Sequence, residues 1–266
     1  VRGQRESNRV AEETADVLAT STAEVTHTRS VTVETPSLLP GGSDERTVSV
    51  TRTTRGTYAQ LLGAAAVADP SLDGAALFGT GSELRAKSTR VARRVLNTRE
   101  ANLQVAVAWR PYPDAPLKSS FTAGDPPPRD ADVSITTVTV ASGAPNVSEK
   151  ARRAARTGGY GGVARVVSQA SIDGLFQPSS MRAAFFSEGP DRALAAHRYD
   201  RASSALSVDV TAQLQRREFE AANRRLAAGL AERLQRHMRQ RYDSPTAAAR
   251  AVRVHQVRIV VRTWSP

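Results

Sequence analysis

The chain contains no cysteine, which excludes disulfides, thiolate metal sites and cysteine nucleophiles. Aromatic residues make up only 5% of its 266 residues, and Ala and Val carry most of the apolar content. Small side chains bury little area each, so the composition predicts a thin monomer core that favours contacts with neighbouring subunits. Lysine is nearly absent: apart from Lys87, Lys118 and Lys150, every basic residue is arginine. A GC-rich genome, which supplies Ala and Arg codons together, accounts for that ratio. No apolar run approaches the roughly 20 residues that span a bilayer, and no membrane partner is expected. The opening residues Val1-Arg2-Gly3-Gln4-Arg5 hold no apolar stretch, so no secretion signal is expected and the location expected is a virion or the cytoplasm.

Recognisable reaction motifs are missing too. There is no Walker A sequence, no GxSxG and no SxxK. The four histidines, His27, His197, His237 and His255, show no metal-ligand spacing and fit structural positions in strands and helices. Gly159-Tyr160-Gly161-Gly162-Val163-Ala164 formally matches the dinucleotide GxGxxG/A pattern. The true fingerprint follows a strand and opens a helix, whereas here a basic helix is expected before it and a strand after it. The same stretch, between Arg156 and Arg165, has a faint likeness to RGG-type RNA-binding segments. No cofactor, no metal and no enzymatic activity are expected.

What the chain does have is one-sided charge. Residues 1–147 hold 16 basic and 16 acidic side chains, while residues 148–266 hold 21 and 10, so the net charge of +11 lies in the C-terminal part. Such a field attracts polyanions or acidic protein surfaces.

Hydrophobic periodicity predicts an N-terminal helix at 7–19 and an antiparallel strand pair at 24–34 and 46–53. Helices are expected at 58–68 and 82–96, and a strand at 102–109. Residues 111–130 hold six of the 14 prolines and predict no regular element. They divide the chain into a neutral α+β region (1–110), a Pro-rich linker or arm (111–130) and a basic α+β region (131–266). Tyr112, Leu117 and Phe121 in that arm need burial and are candidates for packing on a neighbour. Residues 132–141 predict a strand with a bulge between Ile135 and Val138, where the apolar phase switches. A short helix at 148–156, capped by Ser148, a GGYGG turn and an apolar strand at 162–167 follow. Two short helices at 179–187 and 190–200, the first capped by Ser179, a strand at 205–210 and a closing strand at 254–264 complete the pattern.

Between the last two strands, residues 212–241 predict the longest helix. Phe219, Ala222, Leu226, Leu230, Leu234 and His237 line one side. Arg217, Arg224, Arg225, Arg236 and Arg239 project from the other and form the candidate surface for an anionic partner, since guanidinium groups bind phosphate and carboxylate through a planar fork. A solvated face with Glu218, Glu220 and Glu232 as counter-charges is the competing reading.

The fold class expected is α+β, with a largely antiparallel sheet, several amphipathic helices and the long C-terminal helix. The function expected is a non-enzymatic structural subunit of a large multi-copy assembly, a viral shell, decoration or tail-associated protein above others. Its partners would be other copies of itself or other subunits. The alternative is a nucleic-acid-binding protein using the Arg-rich C-terminal half.

Overall fold

The last described strand of the chain inserts between two earlier strands of the main sheet. In a computed structural model that describes residues 2–36, 43–97, 102–187 and 189–264, the α+β class holds, with antiparallel sheets and a long C-terminal helix. Helix α1 (Arg2–Thr20) leads into a hairpin of two 15-residue strands, β1 (Thr22–Pro36) and β2 (Ser43–Thr57). Helix α2 (Tyr58–Ala68) follows at once, started by a reciprocal capping box between Thr57 and Gln60. Two short strands, β3 (Ser71–Leu72) and β4 (Ala75–Ala76), precede helix α3 (Ser82–Asn97). Strands β5 (Asn102–Trp109), β6 (Leu117–Ala123) and β7 (Val133–Ala141) come next. Six helices then run from Ser148 to Arg250: α4 (Ser148–Phe176), α5 (Pro178–Phe186), α6 (Pro190–Leu206), α7 (Thr211–Gln215), α8 (Phe219–Arg241) and α9 (Pro245–Arg250). Strand β8 (Gln256–Trp264) closes the chain and the sheet, whose spatial order is β4-β3-β6-β5-β8-β7.

Alternation decides which sheet face is covered. Val105, Val107 and Trp109 of β5 are buried with Val257, Ile259 and Val261 of β8. Helices α1 and α2 lie against this face, and the Thr263 hydroxyl donates to the Ser7 carbonyl at 2.7 Å. The opposite face is open. Arg258 of β8 and Ile135, Thr137 and Thr139 of β7 stand exposed on it, with Ala106, Ala108 and Val260 half-buried among them.

Several expectations are corrected. The Pro-rich stretch is not devoid of regular structure, because β6 lies inside it and pairs with β5. Prolines 111, 113 and 116 precede the strand and prolines 126–128 follow it, so no ladder amide is lost to a ring. Gly124 turns the chain out of β6 at φ +90°, where a Cβ would collide with the Leu103 carbonyl. Nor is this stretch an arm. Tyr112 and Leu117 are buried in the chain's own core, and half-buried Phe121 lies under the Arg85 guanidinium at 5.5 Å. The bulge in β7 is absent, since its register with β8 is unbroken from Val133 to Ala141. The phase switch is instead an apolar side chain on the open face, Ile135, which is 60% exposed.

The GGYGG turn and the strand after it are both part of α4. Its helix bends at Gly159, which takes φ 56° and ψ −147°. Ser148 is the first residue of that helix and Val147 its cap, while Gln177, not Ser179, caps α5. Residues 205–206 end α6, so no strand forms at 205–210. The long helix is shorter than 212–241: Arg217 takes φ 60° and separates the single turn α7 from α8. Its apolar stripe stands as expected. Phe219, Leu226, Leu230 and Leu234 are all buried, Leu226 fully, and each stabilises the fold by roughly 1.5–3 kcal/mol through burial. Within this helical layer the buried Tyr199 hydroxyl donates to the Asn223 side-chain oxygen at 2.9 Å.

The hairpin rests on the body through one face. Val25, His27 and Val31 are buried, while the outer face is a hydroxyl ladder of Thr26–Thr53, Thr28–Thr51 and Ser30–Ser49 pairs at 2.8–3.1 Å. The outer edge of β1 is capped by α3: Glu83 accepts the Thr28 N–H at 2.7 Å and Lys87 donates to the Thr26 carbonyl at 2.8 Å. Burial holds the His27 imidazole below its ordinary pKa, and Arg29 and Arg52 push the same way against Glu83. The unfolded chain therefore takes up this proton first. Stability from a neutral His27 is fully present above about pH 6.5 and is lost as pH falls through the lower folded value. The melting temperature should fall as pH drops from 7.5 to 5, and His27→Gln should flatten that fall. A profile equally steep in the variant would assign the dependence to another group, such as His237, which burial also holds low.

Candidate functional site

Helix geometry sorts the five candidate arginines. At 100° per residue, Arg225, Arg236 and Arg239 share the outer face of α8 with Glu232, and Arg224 lies at its flank. Arg217 precedes the helix and sits elsewhere, its guanidinium 4.6 Å from the centre of the Phe186 ring. The five therefore do not form one surface, although all are exposed. Among the described residues Arg224, Arg225, Arg236 and Arg239 make no ion pair. Of the three carboxylates expected to neutralise this face, Glu220 is engaged elsewhere, binding Arg182 at 3.1 Å across to α5, while Glu218 and Glu232 make no ion pair among the described residues. Other helix arginines are paired, Arg233 with Asp73 at 2.7 Å and Arg241 with Asp114 at 3.2 Å. A cleft of about 440 Å³ beside the outer face is lined by Glu232, Arg236, Gln240 and Asp73 among others.

A second surface lies on the open sheet face. Three guanidinium groups, Arg110, Arg253 and Arg258, surround a hollow of about 460 Å³ whose floor includes Ala108, Thr137, Thr139 and Gln256. Arg110 is 3.7 Å from Asp114, and Arg253 and Arg258 make no ion pair among the described residues. The hollow borders β7, the last strand of the sheet.

The parity of β7 follows from one bond. Ser142 N–H donates to the His255 carbonyl at 3.0 Å, so every second residue back from Ser142 bonds to β8. Val133, Ile135, Thr137, Thr139 and Ala141 then direct their N–H and C=O groups away from the sheet. The strand contains no charge and no proline between Val133 and Ala141. Edge strands normally carry such protection. Here β4 is only two residues long, β1 is capped by α3, and β2 carries Glu45, Arg46, Arg52 and Arg55. Sequence reasoning missed this surface because a strand's place in the sheet is non-local. The available signal was the uncharged run with Ile135 out of phase.

Arg198, His197 and His237 have structural roles. Arg198 donates to the Leu175 carbonyl at 3.0 Å and lies 4.3 Å from the centre of the Phe78 ring. Burial, then the neighbouring Arg29 and Arg52, push it down to about 10, so it stays a cation at neutral pH. His197 meets the Phe78 carbonyl at 3.2 Å and His237 the Tyr112 hydroxyl at 3.3 Å. Among the described residues no three His, Asp or Glu side chains stand close enough to hold a metal ion. No described helix is long and apolar enough to cross a membrane.

Replacing Arg224, Arg225 and Arg236 together by Gln tests the helix face. If it tracks a nucleic-acid backbone, the slope of log affinity against log salt should flatten by about 0.7–0.9 for every phosphate that the variant leaves unneutralised. If it meets an acidic protein, assembly should weaken with no change in nucleic-acid binding. Wild-type behaviour in both assays would show a solvated face.

No curated protein and no solved structure matches the chain. Over residues 2–264 it matches the model of a family described as a family of unknown function, DUF7284, and the chain belongs to that family.

Proposed function

We propose that this chain is a non-enzymatic structural subunit of a multi-copy assembly, of the kind that forms a viral shell, decoration or tail-associated layer. The observation that supports this reading is the uncharged free edge of β7 beside the open sheet face. A nine-residue strand with outward backbone donors and acceptors, and with Val133 37% and Ile135 60% exposed, is a template for another chain. The partners are other copies or other subunits of the same assembly. A thin core is not required for this reading, because the surface itself supports it.

Nucleic acid is the second reading, favoured by the unpaired arginines Arg224, Arg225, Arg236 and Arg239. No aromatic side chain stands among them, so base stacking would have no platform there. Light scattering of the purified protein separates the two. A structural subunit should show a multiple of the 28.5 kDa chain mass that persists after nuclease treatment. A single-chain mass at every concentration, with oligonucleotide affinity falling steeply with salt, would favour nucleic acid.

A further inference from the structure

We infer that β7 pairs with β7 of a second copy of this chain, antiparallel, about a twofold axis at Thr137. The inference rests on the multi-copy reading above and names the contact and its register. A twofold contact is self-complementary, each residue meeting its counterpart in the same patch. Only a pairing centred on Thr137 uses all nine residues from Val133 to Ala141. It sets Val133 opposite Ala141, Ile135 opposite Thr139 and Thr137 opposite itself. These are the residues whose backbone groups point outward, so each pair exchanges both N–H···O bonds. Their side chains are β-branched or small and carry no charge, so no like charges meet across the seam.

Charge complements this register at both ends. The lead-in to β7 carries Asp125, Asp130 and Asp132, all exposed and without an ion pair among the described residues. Asp130 lies in the turn just before Asp132, and in the paired register Asp132 of one copy, next to the first residue of β7, comes level with Ser142 of the other. That is the end of β7 beside exposed Arg253 and Arg258, which line the hollow on the open face without carboxylate partners. The twofold repeats the match at the other end. Sliding the strands by two residues shortens the ladder and shifts the match equally at both ends. Ile135, the large side chain left on the open face of the strand, is then covered by the second copy's Thr137 and Thr139.

The absence of cysteine makes this register directly testable. A lone Thr137→Cys stands on the axis and meets its own counterpart. A lone Thr139→Cys is displaced by four residues from its counterpart, roughly 13 Å along the strand, beyond disulfide reach. Mild oxidation should therefore link Thr137→Cys into a covalent dimer at least tenfold more than Thr139→Cys. Thr137→Pro removes an outward N–H and no backbone bond to β8, giving up only the 3.5 Å contact from the exposed Arg258 guanidinium to the Thr137 hydroxyl, so the fold should stand while pairing is abolished. Ile135→Lys tests the same edge through an exposed side chain should the proline disturb the strand. Both should lower the mass measured by light scattering, with circular dichroism unchanged. Equal cross-linking at the two cysteines overturns the register. A wild type of multiple mass that neither substitution lowers overturns β7 pairing and leaves the assembly reading standing. A wild type of single-chain mass at all concentrations overturns both.

Discussion

The structure depends on the insertion of β8 between β5 and β7. This C-terminal strand pairs along its whole length with β7, from Val133–Trp264 to Ala141–Gln256, and over all but its first residue with β5, from Asn102–Trp264 to Trp109–Val257. Its start is locked by one carbonyl: Val254 accepts from the Trp109 indole N–H at 2.9 Å and from the Ser142 hydroxyl at 2.7 Å. Its end meets α1 through the Thr263–Ser7 bond. Without β8, β7 has no partner strand and the valines of β5 lose the neighbours that cover them. Contacts this distant in sequence must form against a large loop-closure entropy, so the sheet is completed only when the C-terminal strand docks.

The same insertion decides what remains available for binding. Because β8 lies between β5 and β7, β7 becomes the edge, and its outward backbone groups face solvent or another chain. The protein protects its other edges by brevity, by helix α3 or by charge, and leaves β7 uncharged. That contrast within one molecule carries more weight than exposure alone, since scattered exposed apolar residues are ordinary on protein surfaces. The net charge of +11 opposes association of copies at long range. At the proposed seam the local match of aspartates with arginines works against that repulsion.

Much of the fold was legible from periodicity and punctuation. Helices α2 and α3, the hairpin, β5 and β8 follow from alternation, capping residues and Gly or Pro boundaries, all of which are local. The failures share one cause. Glycines 158, 159, 161 and 162 read as a turn because they break helices in isolation, yet α4 packs on α8 and tertiary burial keeps it helical around a single distorted residue, Gly159. The prolines around β6 hid a strand that needs β5 beside it to exist. Of the candidate site, Arg224, Arg225, Arg236 and Arg239 were placed on an exposed surface from spacing alone. Arg217 left that surface because the helix breaks before Phe219. The β7 edge could not be read from sequence, because edge or centre is decided by strand order.

Amide hydrogen exchange along β7 distinguishes a paired edge from a free one, because the odd and even residues have different partners. The even residues bond to β8 and should be protected at every concentration. If β7 pairs between copies, Ile135, Thr137 and Thr139 are protected only at concentrations where the chain assembles, and exchange freely on dilution. Free exchange of those three amides in the assembled protein would contradict the pairing.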